Sequence, residues 1–247
     1  MSNQPLLDNI SIVLVDTKTP ANIGATARCM MNMGLGRLIL VNPPADTEQE
    51  AVKLAAGAQV ILDRAVISSS LRDAVADFGL VIGTSRHAGK QRKNMRTPRE
   101  MAELVKPFLE KNRMALVFGN EVNGLENRDI AICNEIITIP SADDFPSLNL
   151  SHAVIVVAYE LFMALRSPVC ASAIELAGSK EVEAFYGHLQ TTLLAVGFLD
   201  KENRERMMFS LRQIFGRARL GVRDVSILRG ILTAVERGTG GGKEKPE

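Results

Sequence analysis

Two hydrophobic registers alternate through the first two thirds of this chain. Near-continuous apolar runs at Ile10–Val15, Leu38–Val41, Leu80–Gly83, Met114–Phe118 and Ile136–Ile139 read as buried strands. Val60–Leu62 and Ala65–Ile67 are shorter runs of the same kind. Helical segments with recognisable ends separate them. Asn22 can cap a helix that Gly34 ends, and Asp46 or Thr47 can open another that ends at Gly57. Ser69–Ala76 reads as a short helix. Thr97-Pro98-Arg99-Glu100 has a threonine cap, proline at the first position and glutamate at the third. Leu125–Ile132 reads as helical, and Ser147–Arg166 as a long apolar helix stopped before Pro168. Strands alternating with helices predict an α/β domain with a largely parallel sheet covered on both faces.

The pattern changes after Pro168. Ala171–Gly178 reads as a linker, and Glu181–Arg237 as helices without a strand. Gly238–Glu247 is rich in glycine and charge and is expected to lack fixed structure. The resulting division is 1–167 for the α/β domain, 168–180 for the linker, 181–237 for an arginine-rich helical extension and 238–247 for the tail.

Composition narrows the class. At 247 residues the chain can bury a full core, and its formal charge of +1 says nothing about partners. Three widely spaced cysteines, Cys29, Cys133 and Cys170, point to reduced thiols and a cytoplasmic location. The three histidines make no metal-ligand spacing with them, so no metal is expected. The apolar stretch around Ala153–Leu165 carries Glu160 and is too short to span a bilayer.

Three short segments carry candidate chemistry. The first is Asn22-Ile23-Gly24-Ala25-Thr26-Ala27-Arg28, where a helix starts. Gly24 lets a backbone or a ligand approach closely, and Arg28 sits among apolar residues where a guanidinium needs an anion or water. The second is Phe118-Gly119-Asn120-Glu121-Val122-Asn123-Gly124-Leu125, a glycine-edged turn after a strand. The third is Ile139-Pro140 followed by Ser147-Leu148-Asn149-Leu150-Ser151, at the start of the long helix. Taken singly, each is equally a capped helix or a tight turn. Two basic stretches accompany them. Arg86–Arg96 holds Arg86, Lys90, Arg92, Lys93 and Arg96 without an acid, and the extension carries Arg204, Arg206, Arg212, Arg217, Arg219, Arg223 and Arg229. Solvated faces explain such runs, and so does phosphate recognition. A dinucleotide-dependent enzyme would need a glycine fingerprint after the first strand, where Val15-Asp16-Thr17-Lys18-Thr19-Pro20 has none.

Together the three segments resemble, in order and spacing, the motifs of the SPOUT superfamily, SpoU branch, of RNA 2′-O-methyltransferases. Gly197-Phe198-Leu199-Asp200, Leu211–Leu220 and Leu228-Arg229-Gly230 resemble the helical extension of the TrmJ group, which methylates the ribose of nucleotide 32 in the tRNA anticodon loop. The resemblance implies a SPOUT-type parallel sheet with a deep trefoil knot in its C-terminal part, plus a small all-helical extension. It implies S-adenosyl-L-methionine as methyl donor and tRNA, cytidine or uridine, as substrate. It also implies a homodimer with an active site shared across the interface. Carried over by motif, Thr84, Ser85, Arg86, Gly119, Ile139, Ser147, Leu148 and Asn149 contact the cofactor. Arg28 stands at the target ribose, supported by Asn22, Glu121, Ser147 and Asn149. Lys90, Arg92, Lys93, Arg96, Arg212, Arg217 and Arg219 are the RNA-binding candidates. A SpoU-type enzyme acting elsewhere on tRNA or rRNA, or a non-catalytic RNA-binding module of the same fold, is the alternative.

Overall fold

The structure is a computed structural model and describes residues 4–45, 47–86, 95–166 and 175–240. The chain runs α1 (Gln4–Leu7), β1 (Ile10–Val15), α2 (Pro20–Asn32), β2 (Arg37–Val41), α3 (Thr47–Ala55), α4 (Gln59–Asp63), β3 (Val66–Ser68), α5 (Leu71–Ala74) and β4 (Leu80–Thr84). It continues through α6 (Pro98–Val105), a 3₁₀ turn at Lys106–Phe108, β5 (Met114–Phe118), α7 (Asn127–Ile130), β6 (Glu135–Ile137) and α8 (Leu150–Leu165). The extension is α9 (Ser179–Ala195), α10 (Arg204–Arg217) and α11 (Val222–Gly240).

The six strands form one parallel sheet in the order β3-β2-β1-β5-β4-β6. The two-residue period of a strand explains why the runs are apolar at almost every position. In β1, Ile10, Ile12 and Leu14 enter a core on one face of the sheet while Val13 and Val15 enter a second core on the other. β5 divides likewise, Met114, Leu116 and Phe118 from Ala115 and Val117. The first face is covered by α2, α6 and α8 through Ile23, Ala27, Met30, Met101, Val105, Val154, Val157 and Leu161. The second is covered by α5 and α7 with Val75 and Phe78.

Three local expectations are corrected. Val60–Leu62 lies in helix α4, where only Ile61 is buried, so three apolar residues in a row did not make a strand. Leu125–Ile132 holds only the four helical residues of α7. Thr19, not Asn22, occupies the cap position of α2, because Pro20 starts the helix three residues earlier than an Asn22 cap would. The Thr97–Glu100 capping box is present on α6, and Asn149 caps α8. Gly34 takes the left-handed backbone expected after α2. Helix α11 runs to Gly240, so the first residues of the expected tail are helical, and 241–247 lie outside the described residues.

Helices α9–α11 close over their own core of Phe185, Tyr186, Leu189, Leu199, Met208, Val225 and Leu232. Backbone hydrogen bonds dock this module on the sheet domain, with Ser179 N–H donating to Phe78 O and Lys180 N–H to Ala76 O. Arg72 of α5 pairs with Glu183 of α9 at 2.6 Å. Among the described residues no helix is long and apolar enough to cross a membrane.

Candidate active site

The carboxyl ends of β4, β5 and β6 open into a cleft of about 840 Å³, counting its mouth. Ligands of open α/β sheets bind at such strand ends. Thr84, Ser85 and Arg86 line it from the end of β4, Gly119 and Glu121 from the end of β5, and Ile139, Ser147 and Leu148 from the loop after β6. Every cofactor candidate except Asn149 therefore borders one space.

The turn after β5 is built by its small and amide residues. Asn120 is buried, and its Oδ1 accepts from Val122 N–H at 3.0 Å and Asn123 N–H at 2.8 Å. Gly124 N–H donates to Asn120 O at 2.9 Å, with Gly124 at φ +70°. The chain folds back so tightly that a Cβ on Gly119 would lie 2.0 Å from the Gly124 carbonyl carbon. Gly119 must therefore be glycine to let its own chain fold back, while its backbone lines the cleft. Asn120 was not among the sequence candidates; an amide between glycines after a strand is the signal for such a turn. Gly24 has a similar role on α2, where a Cβ would meet Ala51 O of α3 at 2.0 Å.

Hydrogen bonds join the three segments. Asn22 Nδ2 donates to Glu121 Oε1 at 2.7 Å, and Asn149 Nδ2 donates to Asn22 Oδ1 at 3.0 Å. Glu121 also accepts from the backbone N–H groups of Lys18 at 2.9 Å and Thr19 at 3.2 Å, at the start of α2. A carboxylate there satisfies free amides and meets the positive end of the helix. Burial pushes the Glu121 carboxyl up, but the donors Lys18 N–H, Asn22 and Thr19 N–H outweigh it and hold it below the usual range. Asn149 Oδ1 accepts from both Ser151 N–H and Ser151 Oγ, so one amide caps α8 and ties it to α2. Ser151 completes this link; it closes the third segment in the sequence but was given no role there.

Arg28 stands apart. It projects from α2 into solvent and is not among the residues lining the cleft of its own chain. Among the described residues no acidic side chain forms an ion pair with it.

The RNA-binding candidates differ in their surroundings. Lys90, Arg92 and Lys93 lie outside the described residues. Arg96 pairs with Glu135 at 3.9 Å, and its carbonyl accepts from Thr138 N–H, extending the sheet beside β6. Arg212 is held by Glu183 and lies 4.3 Å over the Tyr186 ring. Burial pushes the Glu183 carboxyl up, yet Arg212 and then Arg72 outweigh it and keep it low. Arg219 reaches Glu135 at 3.7 Å and sits over Phe108, joining the helical module to the sheet domain. Arg217 is exposed, its Nε donating to Gln213 O.

Residues 9–159 match the model of the SpoU rRNA Methylase family. The chain belongs to the SpoU methylase family. Residues 180–244 match the C-terminal domain of the tRNA methyltransferase TrmJ, which places the chain in the TrmJ branch of that family. It is 39% identical to the tRNA (cytidine/uridine/adenosine-2′-O-)-methyltransferase TrmJ of Pseudomonas aeruginosa strain UCBPP-PA14, over 94% of this chain and 95% of that one. It is 38% identical to the tRNA (cytidine/uridine-2′-O-)-methyltransferase TrmJ of Escherichia coli K12, over 96% and 99%. The crystal structure of TrmJ from Z. mobilis ZM4 superposes with a TM-score of 0.79 at 32% identity, covering 92% of this SpoU methylase and 98% of that chain. A probable methylase family protein from Haemophilus influenzae Rd KW20 does so with 0.63 at 34% identity, covering 95% and 98%.

Proposed function

We propose that this protein methylates a ribose 2′-hydroxyl of tRNA, at nucleotide 32 of the anticodon loop, with S-adenosyl-L-methionine as donor. The observation that carries the reading is the hydrogen-bonded link Glu121–Asn22–Asn149, which joins all three motif segments at the mouth of one cleft. The cleft fits such a donor. The Leu148 side chain and the backbone of the Gly119–Gly124 turn offer apolar and hydrogen-bonding walls for a flat heterocycle, with Thr84, Ser85, Ile139 and Ser147 completing them. When bound, the sulfonium supplies a methyl group that needs an oxygen in line with the departing sulfur.

The chain's residues orient and activate that oxygen. Glu121 is ionised and saturated by donors, so it fixes the start of α2 instead of accepting the hydroxyl proton. Asn22 and Asn149 hold α2 and α8 at a set distance, and Ser147 lines the cleft. Arg28 aligns the ribose and stabilises the oxygen as its charge develops; a guanidinium is too weak an acid to serve easily as a base. Its separation from the cleft of its own chain supports a homodimer in which Arg28 serves the partner's cleft. The same reading includes the knot in the part of the chain that holds β6 and α8, the four-part division given by the sequence, and a cytoplasmic location.

Mapping 2′-O-methylation in tRNA from cells with and without the protein tests the reaction. Unchanged methylation at position 32, together with no transfer to tRNA by the purified protein, would overturn it. S-adenosylhomocysteine should raise the melting temperature, and NAD should not.

A further inference from the structure

Phe145 is the most exposed large apolar side chain among the described residues, 78% accessible. It stands in the loop between β6 and α8, directly before Pro146, Ser147 and Leu148, which line the cleft. The loop is braced against itself. Phe145 N–H donates to Ala142 O at 3.1 Å, and Ser141 Oγ donates to Pro146 O at 3.1 Å. Pro146 further narrows the backbone choices of the residue before it. A phenyl ring fixed in water by its own loop gains nothing from packing within the chain. Val122, 71% accessible, is presented in the same way by the Asn120-pinned turn that lines the cleft.

We propose that Phe145 is the stacking platform for the nucleobase whose ribose is methylated. This rests on the reaction proposed above and names how its substrate is held. A nucleotide offers two kinds of surface, a charged phosphate and a flat base with an apolar face. Asp143 and Asp144 are exposed beside Phe145 and repel phosphate, so this part of the rim receives the base. The phosphates are left to exposed cations such as Lys18, whose backbone N–H donates to Glu121 at the same cleft. Aromatic stacking reads no hydrogen-bonding edge, so the platform accepts pyrimidine and purine alike.

The test uses the full-length protein with Phe145→Ala, Phe145→Leu, Phe145→Tyr and Phe145→Trp. Substrates are a tRNA transcript and the same transcript abasic at the methylated nucleotide. Phe145→Ala should lower kcat/KM about ten- to a hundredfold, mainly through KM. Tyr and Trp should restore it and Leu should not. S-adenosylhomocysteine affinity and sedimentation mass should match the parent. The abasic transcript should cost the parent a similar factor and cost Phe145→Ala little more. Full activity of the Leu variant, additive losses with the abasic transcript, loss of cofactor affinity, or a monomeric Phe145→Ala variant would each overturn the platform, the last by giving the ring to a second copy. Absence of methyl transfer by the parent would overturn the reaction and the platform with it, whereas transfer by the parent that Phe145→Ala leaves intact would overturn the platform alone.

Discussion

At the scale of single residues, the site separates groups that build from groups that face the substrate. Glu121 builds. Replacing it by Gln sets an amide against the donors from Lys18, Thr19 and Asn22, which should destabilise the fold by about 1–3 kcal/mol at neutral pH. The sign of the pH dependence follows from its lowered pKa. The ionised form is favoured in the folded state, so its contribution is complete above the unfolded value, about 4.3, and disappears as pH falls through the folded value. Denaturant melts of parent and Glu121→Gln should therefore converge in acid; a constant gap across the same range would contradict the charge argument. Arg28 faces outward and touches none of this. Arg28→Ala should lower methyl transfer by at least about a hundredfold while cofactor affinity and melting temperature stay near the parent's. Mixing Arg28→Ala subunits with cofactor-deficient Leu148→Arg subunits should restore part of the activity if sites are shared, and none if each chain uses its own arginine. Gly119 belongs with the builders, and even Gly119→Ala should disturb folding before it affects ligand.

Elements with purely local signals were legible from sequence. β1, β4 and β5 lie buried on both faces and show as near-continuous apolar runs, and the α6 capping box is contained in four residues. Val60–Leu62 misled because a five-residue helix with one buried side chain is too short to show its period. The partners of Asn22 were not legible, since they lie 99 and 127 residues away and no local pattern encodes them. Helix α8 shows both cases. Its length and apolar content are plain in the sequence, but which side faces inward is not: Val154, Val157 and Leu161 are buried against this chain and Ile155 only half-buried. The face left over carries Val156, Tyr159 and Met163, each more than a third exposed. If that face joins two copies, Tyr159→Asp with Met163→Asp should give a monomer in sedimentation with the fold retained. A dimer of unchanged stability would move the interface elsewhere.

For the whole molecule, the two modules divide the arginines between them. Arg212 and Arg219 are spent on Glu183 and Glu135, so removing either should loosen the docked helices and lower the melting temperature. Arg217, Arg223 and Arg229 are exposed, and replacing all three by Ala should weaken tRNA binding and reduce its log–log salt slope by up to about three units, with cofactor affinity unchanged. An unchanged slope would remove this face from the RNA. The bond between Asn149 and Asn22 also has a consequence in time. The first half of the site leaves the ribosome with α2, but the group that fixes it arrives 127 residues later, on the far side of the last strand. Synthesis at about 5–20 residues per second puts several seconds between the two. A growing chain thus holds its first motif without its geometry, and competence to modify RNA comes only once α8 has been made, after every strand of the sheet.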